Sequence, residues 1–257
     1  MPLKVYRRQC GPRAGNFGDE LNKLIVQAVF GETVETVSEF ADADLVAVGS
    51  IVQDIPVDYP GFIWGTGLMF SHLQPLLAKA RIISLRGPLT ARRISSDVKV
   101  FGDPGILVDR LITPEPKRYN IGILPHYVDY DVGAVHDLAK RDERIKVIDP
   151  CQHPIVVLRE ISACECVISS SLHGMIAAHS FGIPATWTVL SSNVQGGIFK
   201  FQDYLAAFGI NDALPTVIVA ADNLETLSAK IREKRQPDLT TAKAAITEAL
   251  KTSLRKT

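Results

Sequence analysis

A chain of 257 residues is long for one hydrophobic core and sufficient for two domains of roughly 110 to 140 residues each. Hydrophobic residues make up 46% of the chain and charged residues 22%, which are the values of an ordinary globular protein. The formal net charge is zero, so no global field would recruit nucleic acid, and an anionic ligand must be held by a few local groups.

No apolar run approaches 18 residues, and the N-terminus lacks the apolar stretch of a signal peptide. We therefore expect neither a signal peptide nor a membrane span. The four cysteines, Cys10, Cys151, Cys164 and Cys166, are too sparse for a secreted disulfide scaffold, and the pair at 164 and 166 has no second pair with which to bind zinc. These observations predict a cytoplasmic protein with reduced thiols.

The first strand is predicted over 4–8 and is followed by a glycine-containing turn and a helix. Asn16 or Asp19 can cap this helix, apolar residues then recur at helical spacing, and Gly31 ends it. Gly15 and Gly18 leave room for a ligand close to the backbone amides of the turn. The turn is not a P-loop, because no Gly-Lys-Ser/Thr follows at the proper spacing.

Further apolar runs at 45–49, 61–64, 82–85 and 98–101 predict four more strands, with a short helix after Gly87-Pro88. Strands that alternate with helical patterns indicate a parallel α/β sheet, in which ligands bind beyond the carboxyl ends of the strands. Arg86 and Asp103 fall at such ends. They would either contact a ligand or form a salt bridge with each other.

The polar segment 113–119 contains two prolines and predicts a linker, which divides the chain into domains at 1–114 and 115–257. Strands are predicted in the second part at 121–124, 145–148, 166–168, 185–190 and 217–220, with helices between them and two more helices at the end. Residues 230–257 hold eight Lys/Arg against three Asp/Glu. This terminal region would either rest on an anionic membrane surface or form a solvated face.

The stretch 166–184, CVISSSLHGMIAAHSFGIP, has the pattern of a buried strand that runs into a helix N-terminus. The first turn of a helix carries unpartnered N–H groups and the positive end of the helix dipole, so it favours an anion. We expect Ser169, Ser170 and His173 to face a phosphorylated or carboxylated ligand. The alternative is that the serines only cap the helix.

Four cationic or potentially cationic side chains lie after strands or in early helix turns: Arg86, His126, His173 and Lys200. Arginine and lysine suit carboxylate and phosphate, and histidine can donate a proton near neutral pH. No HExxH motif or metal triad is present, so no metal and no cofactor is expected. No Gly-x-Ser-x-Gly motif is present either, which disfavours Ser-His-Asp hydrolysis.

An ordered set of motifs resembles the polysaccharide pyruvyl transferases, in particular the short bacterial ketal-pyruvate transferases of exopolysaccharide synthesis. The motifs are NFGDEL at 16–21, LRGPLTA at 85–91, Asp103-Pro104, Pro125-His126, Asp149-Pro150, ISSSLHG at 168–174 and KFQDY at 200–204. The larger branch of that family often has an arginine immediately before the Leu-His pair, where this chain has Ser171.

The resemblance implies two Rossmann-like domains arranged like the GT-B glycosyltransferases, with a C-terminal helical extension. It implies phosphoenolpyruvate as donor and a sugar of a lipid-linked exopolysaccharide or cell-surface glycan repeat as acceptor. The implied products are a pyruvate ketal and phosphate. It would place Arg86 and Lys200 on the donor and make His173 the catalytic acid/base.

The roles of the remaining residues are hypotheses that rest both on this resemblance and on the chemistry and positions of the side chains. Asp19 is expected to join His173 and Arg86 in catalysis. The expected substrate-binding residues are Asn16, Gly18, Asp103, His126, Ser169, Ser170, Gly174 and Lys200. Two other functions stay open, a nucleotide-sugar glycosyltransferase of the same architecture and a non-catalytic glycan-assembly protein.

Overall fold

The computed structural model describes residues 1–8 and 16–255, and it contains two parallel β-sheets with helices packed around them. The first part of the chain contributes β1 (Leu3–Tyr6), α1 (Phe17–Phe30), β2 (Val34–Val37), β3 (Leu45–Val46), β4 (Phe62–Trp64), β5 (Arg81–Ser84) and α2 (Pro88–Arg93). The second part contributes β6 (Tyr119–Leu124), α3 (Gly133–Arg141), β7 (Ile145–Val147), α4 (Pro154–Ser162), β8 (Cys164–Ser169), α5 (Leu172–Ser180), β9 (Ala185–Trp187), α6 (Phe199–Ala206), α7 (Leu224–Arg232) and α8 (Thr240–Leu254).

The strand order is β2-β1-β3-β4-β5 in the first sheet and β7-β6-β8-β9 in the second, and every named strand pair is parallel. The α/β class predicted from the alternating pattern is therefore confirmed. The finer expectations, two Rossmann-like domains in a GT-B-like arrangement and a boundary at 114/115, stay predictions.

Local sequence signals explain how the first helix begins and ends. The Asn16 side chain accepts a hydrogen bond from the Gly18 amide at the N-cap. Gly31 adopts φ 81° at the C-cap, a left-handed conformation that glycine reaches without steric cost. Of the two caps that the sequence offered, Asn16 is thus the one used. Gly15 and Cys10 lie outside the described residues.

Two predicted strands are wrong and one strand was missed. Residues 98–101 form only a single bridge, between Leu85 and Phe101. Residues 217–220 form no strand: the Thr216 amide donates to the Trp187 carbonyl, but the apolar side chains that follow are largely exposed. The missed strand is β2 (VETV), whose half-buried pattern gave little apolar signal.

The two sheets share part of the hydrophobic core, and each sheet also packs against a smaller apolar cluster of its own. A single cluster of buried apolar side chains includes Val5 of the first sheet, Val167 of the second and Leu250 of the last helix. Helix α8 returns to the first sheet, where the Trp64 indole donates to the Ile246 carbonyl at 2.8 Å. The last helix therefore packs on the sheet that the beginning of the chain forms, which ties the two halves together.

Candidate functional site

A cleft of about 300 Å³ lies where the carboxyl ends of the strands of both sheets meet. Its described lining comes from both halves of the chain: Arg8, Asn16, Asp19, Gly49, Ser50, Ile51 and Met69 from the first, and His126, Tyr127, Val128, Ser171, Leu172, His173, Asn193, Gln195 and Lys200 from the second. The carboxyl ends of parallel strands are where such sheets bind ligands. Of the sequence-predicted site residues, Asn16, Asp19, His126, His173 and Lys200 line this cleft.

The β8–α5 turn is held by Ser169, which does not line the cleft. Its fully buried hydroxyl donates to the Leu124 carbonyl at 2.6 Å and accepts from the Ser171 amide at 3.0 Å. A Cβ on Gly174 would lie 2.4 Å from the Ser169 Oγ, so only a glycine lets α5 close onto β8. Both residues shape the turn, and their expected contact with a ligand stays a prediction.

Ser170 forms a hydrogen bond with the buried carboxylate of Asp129, a residue that sequence reasoning missed. Its hydroxyl donates to Asp129 Oδ2 at 2.7 Å and accepts from the His126 amide at 2.9 Å. The other oxygen of Asp129, a fully buried residue, accepts from the Ser191 hydroxyl. One carboxylate thus fixes the loops that follow β6, β8 and β9. The only sequence signal was an acidic residue in the loop after a predicted strand.

The first turn of α5 presents backbone donors at the cleft. Among the described residues, no acceptor is recorded for the amides of Leu172, His173 and Gly174, as is usual in a first helical turn. The N-cap residue Ser171 lines the cleft, and its hydroxyl makes no capping bond. The helix N-terminus predicted from the sequence therefore lies at the cleft with its positive dipole end.

His173 is held between the two halves of the molecule. Its side chain is buried, and Nε2 faces Asp103 Oδ2 at 3.6 Å. Neither atom has a hydrogen-bond partner within the described part of the chain, while Asp103 Oδ1 accepts from the Gly105 amide at 2.8 Å. The opposite edge of the ring lies on Gly18, where an added Cβ would come within 2.0 Å of Nδ1. Gly18 and Asp103 therefore set the position of this imidazole.

Lys200 is a buried cation on the wall of the cleft, and only 5% of its surface is exposed. Its ammonium group donates to the Gln195 carbonyl at 2.9 Å, and within residues 1–8 and 16–255 no carboxylate forms a salt bridge with it. Burial, together with the nearby positive charge of Arg86, lowers the pKa of Lys200 to about 8, and Asp129 opposes this effect. A buried ammonium of this kind gains by meeting an anion.

His126 is a neutral imidazole at physiological pH. Burial and then the charge of Lys200 lower the pKa of His126 to about 4. Its Nδ1 accepts weakly from the Val128 amide at 3.4 Å, which leaves Nε2 as the protonated nitrogen. His126 therefore offers the cleft a hydrogen-bond donor instead of the positive charge that the sequence suggested.

Arg86 is fully buried and does not line the cleft. Its Nε donates to Asp203 Oδ2 at 2.9 Å, and its Nη atoms donate to Ser50 Oγ and the Leu68 carbonyl, both at 2.5 Å. Asp203 also accepts from the amide and the hydroxyl of Thr90. The expected alternative, an Arg86–Asp103 pair, is wrong because the partner comes from α6. The direct contact of Arg86 with a donor stays a prediction.

Three residues at the ends of early elements complete the cleft. Asn16 donates from Nδ2 to Asp19 Oδ2 at 3.0 Å, and both line the cleft beside the first turn of α1. Arg8, which sequence reasoning missed, lies two residues beyond β1 and pairs with Asp54 at 2.7 Å. A basic residue just after a predicted parallel strand was the signal that could have identified it.

No group of three or more His, Cys, Asp and Glu side chains that could hold a metal ion occurs within residues 1–8 and 16–255. The expectation that no metal is needed stays a prediction. The described part of the chain also contains no helix that combines the length and the apolar character needed to cross a bilayer.

Comparison with known proteins identifies relatives over most of the chain. The family model "Polysaccharide pyruvyl transferase" matches residues 6–192. The uncharacterised protein L143 of Acanthamoeba polyphaga mimivirus is 34% identical over 212 residues, which cover 76% of this chain and 71% of that protein. The succinoglycan biosynthesis protein ExoV of Rhizobium meliloti is 28% identical over 208 residues, which cover 76% of this chain and 62% of that protein.

One solved structure also resembles the chain as a whole. The protein KP1_0663 of Klebsiella pneumoniae, described as functionally uncharacterised, is 11% identical with a TM-score of 0.46 over 85% of this chain and 93% of that protein. At that score it adds nothing to the functional argument. The family model, in contrast, spans the segments that carry the cleft residues from Asn16 to His173. The chain therefore belongs to the polysaccharide pyruvyl transferase family.

Proposed function

We propose that this protein transfers the pyruvyl group of phosphoenolpyruvate to a sugar of an exopolysaccharide or cell-surface glycan repeat, forming a pyruvate ketal and releasing phosphate. The observation that carries the proposal is Lys200, a buried ammonium on the cleft wall that forms no salt bridge within the described residues. Membership of the polysaccharide pyruvyl transferase family favours, as the anion that meets Lys200, a small donor that bears a phosphate and a carboxylate.

Three groups of donors meet the negative charges of phosphoenolpyruvate in this proposal. The amides of the first α5 turn and the dipole of that helix bind one anionic group. Lys200 lies beside the other, and the Nε2–H of His126 donates a neutral hydrogen bond. Fixed donors of this type in a partly dehydrated cleft also stabilise the charge that the leaving phosphate acquires.

His173 moves the protons of the reaction. Its imidazolium donates a proton to the methylene carbon of the donor, which becomes a methyl group and leaves a positive centre at the neighbouring carbon. A sugar hydroxyl attacks this carbon and gives its proton to the now neutral imidazole. Phosphate then leaves as its C–O bond breaks, and a second hydroxyl closes the ketal and loses a proton. Two hydroxyl protons are thus accounted for, one in the methyl group and one on phosphate.

Asp103 orients His173 in this scheme. Its unpartnered Oδ2 lies 3.6 Å from Nε2, so a small movement makes a hydrogen bond and leaves Nδ1 as the nitrogen that exchanges protons. Asp103→Asn should lower kcat with little change in the KM for phosphoenolpyruvate, because the amide holds the Nε2–H less firmly than the carboxylate while the binding groups of the cleft are unchanged. A raised KM with an unchanged kcat would contradict the orienting role.

In this proposal Arg86 does not contact the donor but holds two cleft-lining segments in position. Its salt bridge to Asp203 fixes the helix that carries Lys200 against the first sheet. The guanidinium also holds Ser50, which lines the cleft. The contribution of Arg86 to donor binding is then indirect, through the position of Lys200.

Phosphate release from phosphoenolpyruvate, measured with a glycan acceptor extract, tests the proposed function. His173→Ala should lower the rate by about 10²- to 10⁴-fold while the fold survives, since general acid/base catalysis contributes about that much. His153→Ala makes the same substitution at an exposed histidine outside the cleft and should leave the rate unchanged.

Two outcomes would overturn the proposal. Release of UDP from UDP-sugars without release of phosphate from phosphoenolpyruvate would identify a nucleotide-sugar glycosyltransferase. Binding of phosphoenolpyruvate without turnover on any glycan, and without a change on loss of His173, would identify a non-catalytic glycan-assembly protein.

A further inference from the structure

An exposed apolar loop lies beside the cleft and has no role in the proposed chemistry. The segment 69–76 lies within the connection between β4 and β5 and exposes Phe70, Leu73 and Leu76 at 41%, 74% and 52% of their surfaces. We call it the apolar loop. Its neighbours Leu68 and Leu77 are buried, so the loop is anchored at both ends while its apolar side chains face solvent. A cluster of such side chains, unlike a single one, marks an interaction surface.

Two hydrogen bonds tie the apolar loop to neighbouring segments of the fold. The Met69 amide donates to Gln53 Oε1 at 2.9 Å, and the Gln74 amide donates to the Arg93 carbonyl at 3.0 Å. The exposure of the apolar side chains is therefore a property of the folded loop. Met69 itself lines the cleft, so the loop stands next to the site.

The surroundings of the loop are basic. Residues 59–96 contain no Asp or Glu but five Lys/Arg, four of which are left at the surface because Arg86 is buried and paired with Asp203. Arg92 and Arg93 are exposed, line a groove together with Ser71 of the loop, and form no salt bridge with any described residue. Apolar side chains next to unpaired cations are complementary to a bilayer with anionic headgroups, because the former enter the acyl boundary and the latter bind phosphate.

We propose that the apolar loop, with Arg92 and Arg93, docks this protein on an anionic phospholipid surface. The basic C-terminal region, which suggested membrane contact in the sequence, is less suited to this role. Lys243 binds Asp109 at 2.6 Å, and Arg232 binds Glu165 at 3.2 Å, so these charges are partly neutralised within the fold. Docking through the loop would bring the mouth of the cleft to the bilayer, where a lipid-linked acceptor resides. Binding of the apolar loop to a bilayer does not depend on the donor chemistry.

Co-sedimentation of the full chain with vesicles of phosphatidylcholine containing phosphatidylglycerol tests this proposal. The wild type should bind these vesicles and not pure phosphatidylcholine, and added salt should release it. The double variants F70S/L73S and R92Q/R93Q should each bind at least roughly tenfold more weakly, because one removes inserted side chains and the other removes two cations.

Matched controls separate the loop from other surfaces. Val217→Ser replaces another apolar side chain, 66% exposed, and K251Q/R255Q removes two cations of α8 and the residue after it. Both controls should bind like the wild type. All substitutions lie on exposed or partly exposed side chains, and thermal melting confirms that each variant is folded.

Three results would overturn the proposal. The first is a wild type that does not sediment with anionic vesicles. The second is binding that only K251Q/R255Q weakens, which would assign the contact to the C-terminal region. The third is a dimer in solution that F70S/L73S dissociates without any vesicle binding, which would show that a second copy of the chain covers the loop.

Discussion

Replacing Lys200 with methionine should stabilise the unliganded protein and abolish donor binding. Lys200 is 5% exposed, and the one recorded hydrogen bond of its ammonium group is to the Gln195 carbonyl. Methionine has a similar length and suits the neighbouring Phe201 ring, which lies 5.5 Å from the ammonium. The substitution removes a buried charge without opening a large cavity.

The size of the effect follows from the pKa of Lys200. Folding lowers this pKa from its ordinary value of 10.5 to about 8, chiefly through burial. A tenfold change in an equilibrium constant corresponds to about 1.4 kcal/mol, so this lowering of the pKa reduces the free energy of unfolding by roughly 3 kcal/mol below pH 8. The variant also lacks the hydrogen bond to the Gln195 carbonyl, and this loss lowers its free energy of unfolding by about 1 kcal/mol. We therefore expect Lys200→Met to raise the free energy of unfolding by about 2 kcal/mol at pH 7.

The dependence on pH has a definite sign. Between pH 8 and 10.5 the unfolded chain holds the lysine proton more firmly than the folded chain, so the stability of the wild type rises with pH in this window. The penalty is complete below pH 8 and absent above 10.5. The stability advantage of Lys200→Met should therefore shrink as the pH rises from 8 to 10.5.

Urea unfolding of both proteins at pH 7 and pH 10 measures this difference. Calorimetric titration with phosphoenolpyruvate in buffers of different ionisation enthalpy should show proton uptake by the wild type near pH 8 to 9, because a bound anion raises the pKa of Lys200. The reasoning is refuted if Lys200→Met is less stable than the wild type at pH 7, or if its advantage is the same at pH 10.

Two further substitutions test the contacts behind the site. Gly18→Ala would place a Cβ 2.0 Å from His173 Nδ1 and displace the imidazole, so it should lower kcat by about 10²-fold. As a control in the same steady-state assay, Gly133→Ala should not change kcat, because its Cβ would meet no atom within 4 Å. Arg86→Ala should lower the free energy of unfolding in urea by about 3 to 5 kcal/mol, because it leaves the buried Asp203 unpaired. The double variant with Asp203→Ala should lose less free energy of unfolding than the sum of the two single variants. Normal kcat for Gly18→Ala, or additive costs for the buried pair, would contradict these assignments.

Local patterns in the sequence were sufficient for the class of fold and for part of the cleft. Apolar runs followed by helical spacing predicted most strands and helices, and the carboxyl end of a parallel strand is a binding position wherever such a strand occurs. The cationic side chains found after predicted strands or in early helix turns included His126, His173 and Lys200, which line the cleft, but also Arg86, which is buried behind it. The prediction of strands failed at 98–101 and 217–220, because an apolar run does not determine whether a neighbouring strand is available for pairing.

The tertiary structure alone decided what each polar side chain faces. Arg86 and Asp203 are 117 positions apart, and no local pattern could indicate that they would form a buried pair. Asp103 likewise meets His173 because its loop packs against α5, and Ser170 turns to Asp129 because the loops after β6 and β8 converge. Local sequence patterns indicated most of the elements and, for α1 with its Asn16 and Gly31 caps, where the element begins and ends. The partner of a charge depends on long-range packing, because a buried polar group takes whichever partner the assembled core brings within reach.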